Sequence, residues 1–264
     1  MKEKMMSNTT MNKPVLLAVC GKGGVGKTSV SALIVRTLAQ KSDRRILAID
    51  ADPAVGLAPA LGFSGNRTVN DIRDDLIGRI EKGETENRQA LLAALDYEVM
   101  DALEEKGNIA FLAIGRPERE GCYCKVNAML RDIIETMAHN FDTVVIDGEA
   151  GIEQVNRRVL STVSHLLLVS DASAKGLKVT ETIGCVAGQA VHYEKAGLLL
   201  NRIRGAGEKE RLSLPAAIPL VGWVPEDDGI READIAGRSL LAMDPCSAFE
   251  AVKTAMTGFI AEDV

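Results

Sequence analysis

The chain has 264 residues, of which 46 % are hydrophobic and 26 % are charged, an ordinary balance for a soluble globular protein. Its formal net charge of -6 argues against a general nucleic-acid binder. No run approaches the roughly 18 apolar residues that span a bilayer. We therefore expect neither a nucleic-acid partner nor a membrane partner.

The first thirteen residues are polar and rich in methionine, and they lack the apolar block of a secretory signal. They predict a disordered tail over 1–13, followed by a single domain over 14–264, in a cytoplasmic protein. Five cysteines in such a chain predict reduced thiols rather than a disulfide framework.

Apolar runs of strand length alternate with longer helical patterns along the chain. The predicted strands are 15–19, 45–49, 109–114, 143–146, 165–169, 198–200 and 220–224, and the predicted helices are 28–40, 88–103, 126–139, 175–191 and 248–260. Residues 62–83 are less regular and charged, and they predict a surface excursion. Because most strands are continuously apolar, the sequence predicts an α/β fold with a mostly parallel, doubly wound sheet of about seven or eight strands.

A glycine-rich stretch between the first predicted strand and helix has the spacing G-x-x-x-x-G-K-[ST] of a P-loop. In this motif backbone amides surround the phosphates, the lysine neutralises them and the hydroxyl binds Mg²⁺. The residues expected to bind nucleotide here are Gly21, Gly23, Gly24, Val25, Gly26, Lys27, Thr28 and Ser29. Lys22 is an additional lysine, placed to reach a phosphate from outside the loop.

Acidic residues follow two other strands, at the edge of the sheet where ligands of such folds bind. We expect Asp147 to hold Mg²⁺ through a water molecule. Asp52 lies on a loop fixed by Pro53, where its carboxylate would orient water towards the γ-phosphate. Gly151 would offer its amide to that phosphate.

Three residues near the ends of later strands are candidates for contact with the base. Asn201, followed by Arg202, places an amide where a base edge could be read. Pro225 would lie against the base or would simply end its strand.

These segments resemble the deviant P-loop ATPases, the family of nitrogenase iron protein and of the Min and Par positioning ATPases. The signature K-G-G-x-G-K-[ST] is met by residues 22–28, the pattern D-x-D-P by 50–53 and the pattern D-x-x-A-G by 147–151. The resemblance implies a homodimer that closes around ATP. It also implies that Lys22 contacts the nucleotide of the opposite subunit and that Asp52 supports hydrolysis.

Two cysteines one residue apart, Cys122 and Cys124, precede the helix predicted from residue 126. A helix N-terminus and Lys125 both favour the thiolate, the form that binds metal. Two copies in a symmetric dimer would supply four sulfurs, which suit Zn²⁺ or Ni²⁺. The sequence leaves that choice open.

The segment around this pair resembles the CooC type of accessory ATPases, which serve nickel insertion into carbon monoxide dehydrogenase and the related acetyl-CoA synthase. The resemblance implies an ATP- and Mg²⁺-dependent metal-delivery factor with Cys122 and Cys124 as ligands at the dimer interface, and one of those enzymes as its client.

Two other functions stay open from the sequence. An iron–sulfur electron carrier resembling nitrogenase iron protein would hold a cluster with the same thiols, although the two cluster cysteines of that protein come from separate loops. A positioning ATPase bound to membrane or DNA would use a basic C-terminal helix, whereas residues 249–264 contain one lysine.

Overall fold

A computed structural model describes residues 13–83, 88–116, 124–148, 159–160, 162–190 and 192–260. These residues form an α/β fold around one eight-stranded sheet, as predicted. The strands are β1 (Val15–Gly21), β2 (Ile46–Asp50), β3 (Glu104–Lys106), β4 (Ile109–Ala113), β5 (Thr143–Asp147), β6 (His165–Ser170), β7 (Lys195–Ile203) and β8 (Leu220–Pro225). Their order across the sheet is β3-β4-β2-β5-β1-β6-β7-β8.

Helices connect these strands and cover the sheet. They are α1 (Lys27–Ala39), α2 (Leu57–Leu61), α3 (Val69–Glu81), α4 (Arg88–Asp101), α5 (Cys124–Ala138), α6 (Ala174–Ala190), α7 (Ala206–Lys209), α8 (Asp228–Ile235) and α9 (Ser247–Ile260), with a 3-10 turn at Leu240–Ala242. Within the described ranges, no helix is long and apolar enough to cross a membrane.

The central strand β1 explains why the apolar runs are continuous rather than alternating. It pairs in parallel with β5 on one side and with β6 on the other. Leu16 and Ala18 belong to one buried cluster, whereas Leu17 and Val19 belong to a second. Since successive strand residues point to opposite faces, β1 is buried by apolar layers on both sides of the sheet.

The prediction of an irregular excursion over 62–83 was wrong, because α3 occupies most of it. Thr68 and Asp71 form a reciprocal capping box at its start. Ile72 and Leu76 are fully buried, but the charged residues between them hide this helical spacing. The short strand β3 was also missed; it is charged and runs antiparallel to β4 at the edge of the sheet.

The parallel strands place their carboxyl ends along one edge of the sheet. Gly21, Asp50, Asp147 and Pro225 each end a strand there, and Asn201 lies near the end of β7. β7 is longer than predicted and includes both Asn201 and Arg202. The sheet therefore gathers residues that are far apart in sequence along a single edge.

Candidate functional site

The glycine loop between β1 and α1 has a backbone that larger residues would not adopt. Gly24 and Gly26 have φ angles of 82° and 88°. A Cβ added at Gly21 would meet the Val169 carbonyl oxygen at 2.1 Å, and one added at Gly26 would meet Asn201 Nδ2 at 2.5 Å. The glycines are thus required both by conformation and by the close approach of β6 and β7.

Gly26 is also the N-cap residue of α1, and no side chain of the described residues caps this helix end. The first amides of α1 and the positive end of its dipole are therefore directed at the loop, an arrangement that attracts phosphate. Lys27, the first residue of α1, is buried, and its Nζ donates to the Lys22 carbonyl oxygen over 3.4 Å. Lys22 itself is half-buried.

Asp147 has the environment expected of a magnesium site. It is 1 % exposed, its Oδ1 accepts a hydrogen bond from the Ser31 hydroxyl over 3.0 Å, and its buried Oδ2 has no partner among the described residues. Burial raises the pKa of Asp147 to about 6, against the lowering effect of the nearby Thr28 and Ser31 hydroxyls and the Lys27 ammonium. A free carboxylate oxygen near the Thr28 hydroxyl fits Mg²⁺, a cation that prefers oxygen ligands.

Asp50 organises the loop that contains Asp52. Its Oδ1 accepts from the Asp52 amide over 3.0 Å and its Oδ2 from the Leu57 amide over 2.7 Å, so one carboxylate holds both ends of residues 52–57. Burial raises the pKa of Asp50 to about 7, and the charge of Asp147 adds to this. Within the loop, Asp52 Oδ1 accepts from the Ala54 amide over 2.9 Å.

This loop lies beside the phosphate loop. A Cβ added at Gly56 would be 3.6 Å from the Thr28 methyl group. Asp52 contributes to the raised pKa of both Asp50 and Asp147, so its carboxylate lies within electrostatic range of theirs. The predicted water-orienting residue and the predicted magnesium ligands are therefore neighbours.

Asn201 and Arg202 contact the phosphate loop from β7. Asn201 is buried, and its Nδ2 donates to the Val25 carbonyl oxygen over 2.8 Å. Arg202 has a left-handed φ of 59°, and its guanidinium donates to the Gly24 carbonyl oxygen over 3.1 Å. Both side chains brace the loop, while the contact between Asn201 and a base stays a prediction.

A pocket of about 260 Å³ extends from the start of α1 to the end of β8. It brings together the three residues predicted to contact a base with Ser29 of the phosphate loop. Its wall includes Ser29, Asn201, Arg202, Pro225, Asp227 and Ala248. Its position next to the phosphate loop, between β7 and β8, suits the nucleoside part of a nucleotide.

Some predicted site residues lie outside the described part of the chain. Gly151 and Cys122 fall there, and Cys124 is described only as the first residue of α5. Within the described ranges, no group of three or more His, Cys, Asp or Glu side chains could hold a metal ion. Cys20, by contrast, is buried in the core, where burial raises the pKa of its thiol to about 12.

Two residues of the site were missed in the sequence. Asp50 belongs to the pattern D-x-D-P, but only its second aspartate was given a role. Ser31 lies four residues after Lys27, one turn along the same helix, which is the signal that could have identified it.

The comparison with protein families matches residues 16–240 to the CobQ/CobB/MinD/ParA nucleotide binding domain. An uncharacterized ATP-binding protein of Methanocaldococcus jannaschii is 34 % identical, covering 84 % of this chain and 89 % of that protein. The carbon monoxide dehydrogenase accessory protein CooC of Rhodospirillum rubrum is 26 % identical, covering 87 % and 90 %. The septum site-determining protein MinD of Bacillus subtilis is also 26 % identical, covering 87 % and 82 %.

Solved structures have the same fold. The MinD cell division protein of Aquifex aeolicus superposes with a TM-score of 0.67 at 21 % identity, covering 95 % of this chain and 98 % of that one. MinD of Pyrococcus horikoshii, complexed with Mg-ADP, gives 0.63 at 21 % identity, covering 93 % and 96 %. With the family model matched over most of its length, the chain belongs to the CobQ/CobB/MinD/ParA family of P-loop nucleotide-binding ATPases.

Proposed function

We propose that this chain is a magnesium-dependent ATPase that acts as a homodimer and delivers nickel during maturation of carbon monoxide dehydrogenase or acetyl-CoA synthase. The observation that carries the ATPase part is the buried Oδ2 of Asp147, which lies beside Thr28 at the end of the phosphate loop and has no partner among the described residues. The metal part rests on Cys122 and Cys124 and on the similarity to CooC.

In the proposed reaction ATP and water give ADP and phosphate. Thr28 and Asp147, the latter through water, would hold Mg²⁺, which when bound neutralises phosphate charge. Lys27 neutralises the phosphates of its own subunit, and Lys22 reaches those of the other subunit. Asp52 orients the attacking water, because phosphoryl transfer requires mainly alignment and charge stabilisation. The amide of Gly151 donates a hydrogen bond to the γ-phosphate.

Hydrolysis is coupled to metal through dimer geometry. The two Cys122–Cys124 pairs would meet at the interface and supply four thiolates for Ni²⁺ or Zn²⁺, which is cargo rather than a resident cofactor. Nucleotide can change the geometry of this metal site only if it binds the two conformations of the dimer with different affinities. The loop held by Asp50 and the phosphate loop bind the same nucleotide, so they are the parts that would sense its state.

The similarity to MinD favours a second candidate, a positioning ATPase that binds a surface. One structural observation opposes membrane binding through the C-terminal helix. The apolar residues of α9, including Phe249, Val252 and Phe259, are buried, and the helix packs against α1 and β8. Co-sedimentation with anionic liposomes in the presence of ATP would support this candidate instead.

The experiment that tests metal delivery is elemental analysis of the metal-loaded protein with and without ATP. We expect about one nickel or zinc ion per dimer, lost in Cys122→Ala and in Cys124→Ala while ATP binding is retained. Cys185→Ala is the matched control, because Cys185 is an exposed thiol on α6. If Cys122→Ala and Cys124→Ala hold as much metal as the wild type and Cys185→Ala do, the cysteine site is excluded. A broad visible absorption band in anaerobically purified protein would favour the iron–sulfur carrier.

A further inference from the structure

Asp227 lies just after β8 and is the N-cap residue of α8. Its Oδ1 accepts hydrogen bonds from the amides of Gly229 and Ile230, over 3.0 and 3.4 Å. These are two of the amides that a helix start leaves without a partner. One oxygen of this carboxylate therefore fixes the direction in which α8 leaves the sheet edge.

The other oxygen of Asp227 holds a second helix. Its Oδ2 accepts from the Ser247 hydroxyl over 2.7 Å and from the Ala248 amide over 3.2 Å, and both donors belong to the first turn of α9. Burial by itself raises the pKa of Asp227, but the hydrogen bonds from Ser247, Ala248 and Ile230 bring it below its ordinary value. The carboxylate thus serves two helix starts that are about 20 residues apart in sequence.

Both helices form the wall of the 260 Å³ pocket. Asp227 and Ile230 line it from the β8–α8 side, and Ala248 lines it from α9. α9 also packs against α1, the helix that begins in the phosphate loop. The position of the wall relative to that loop therefore depends on the junction at Asp227.

We infer that Asp227 is a positioning residue for the nucleobase: it fixes the wall of the pocket between β7 and β8, and so sets affinity for the nucleoside part of ATP without contributing to triphosphate binding. This rests on the proposed ATPase function and adds a residue to it. The phosphates are bound by the loop at 21–29, whose contacts with Asn201 and Arg202 do not involve Asp227.

The test compares two ligands on the full-length protein by calorimetry, Mg²⁺ with ATP and Mg²⁺ with inorganic tripolyphosphate. Asp227→Ala should weaken ATP binding about tenfold while changing tripolyphosphate binding by less than about twofold. If Asp227 contributed only to general stability, the substitution would weaken the binding of both ligands equally. If Asp227→Ala does not fold, Asp227→Asn, which keeps one acceptor oxygen, is measured against the same two criteria.

Two control variants separate the caps from other effects. Glu232→Ala removes an exposed carboxylate of α8 that is not among the described residues lining the pocket, and Thr68→Ala removes the cap of α3, which does not line it either. Neither should change the ratio of the two affinities. A ratio unchanged in Asp227→Ala, or lowered as much in either control, overturns the inference alone. Failure of the wild-type chain to bind ATP overturns the proposed function, and the inference with it.

Discussion

Asp50 and Asp147 are register partners at the ends of β2 and β5, so two buried carboxylates stand side by side behind the phosphate loop. Both oxygens of Asp50 accept hydrogen bonds from backbone amides, whereas Asp147 has one buried oxygen without a partner among the described residues. Similar side chains in neighbouring positions thus have different hydrogen-bonding environments. Asp50 holds the loop at residues 52–57, and Asp147 has the oxygen that we propose for Mg²⁺.

The Asp147 oxygen that has no partner within the described part of the chain predicts a weaker magnesium affinity in Asp147→Asn. We expect the Mg²⁺ concentration for half-maximal ATPase activity to rise about 10- to 100-fold, the usual effect of removing an outer-shell metal partner. The measurement is a magnesium titration of steady-state ATP hydrolysis. Asp142→Asn is the control, because Asp142 lies near the opposite end of β5, where its side chain accepts a hydrogen bond from the Arg45 amide. An unchanged magnesium requirement in Asp147→Asn would contradict this assignment.

The raised pKa of Asp50 predicts how stability depends on pH in the protein without nucleotide. A carboxyl group with a folded pKa of about 7, above its ordinary value of 3.8, binds its proton more tightly in the folded state. Stability from this group is therefore present below pH 4 and is lost as pH rises towards 7, by up to about 1.4 kcal/mol per pH unit.

The comparison with Asp50→Asn isolates this effect. Asparagine does not titrate, so the stability advantage of the wild type over the variant should shrink between pH 4.5 and pH 7.5. The neighbouring Asp147, Asp52 and Lys27 are present in both proteins. Urea denaturation at several pH values measures the difference. A constant or growing advantage over this range would show that Asp50 is not protonated in the folded state.

Gly26 should be intolerant of a side chain for two separable reasons. Gly26→Ala imposes a left-handed backbone on alanine, at a cost of roughly 1–2 kcal/mol, and places a methyl group against the Asn201 amide. We expect both lower stability and loss of ATP binding. Gly107→Ala, in the turn between β3 and β4, has a φ of 61° and no described atom within 4 Å of the added Cβ.

Thermal denaturation and nucleotide titration separate the two reasons. Gly107→Ala should lower stability by a similar strain energy and leave ATP affinity unchanged, because only the backbone conformation is shared. If Gly26→Ala binds ATP as tightly as Gly107→Ala does, the close approach of Asn201 has no part in shaping the phosphate loop.

The sheet could be predicted from the sequence because parallel strands that are buried on both faces consist of continuous apolar runs. It failed at α3, where Val69, Ile72 and Leu76 are spaced among charged side chains, and at β3, whose three residues are charged. Helical spacing in a charged segment is a weak local signal. The burial of α3 against the sheet decides its structure, and that contact is not local in sequence.

In the candidate site, too, some residues could be predicted from local sequence and others depend on contacts between distant parts of the chain. A motif of fixed spacing predicted the residues of the phosphate loop, because their function depends on local backbone geometry. Ser31, Asp50 and Asp227 have roles set by which strand or helix lies next to them. Only the assembled sheet edge brings Ser31 to Asp147 and Asp227 to the start of α9.

Lys22 gives the most direct test of action between two subunits. If its ammonium neutralises the nucleotide of the partner, Lys22→Ala should bind ATP nearly as well as the wild type but should remain monomeric, because the charge that favours the closed dimer is missing. Light scattering at a fixed protein concentration, with and without ATP, measures the difference. Cys122 and Cys124 should still react with a thiol reagent.

Lys41→Ala is the matched control, since Lys41 is an exposed lysine in the turn after α1. It removes the same charge from another part of the chain and should form the ATP-dependent dimer. The electrostatic contribution should also weaken with added salt in the wild type and much less in Lys22→Ala. An ATP-dependent dimer of normal affinity in Lys22→Ala would mean that the extra lysine of the phosphate loop acts within its own subunit.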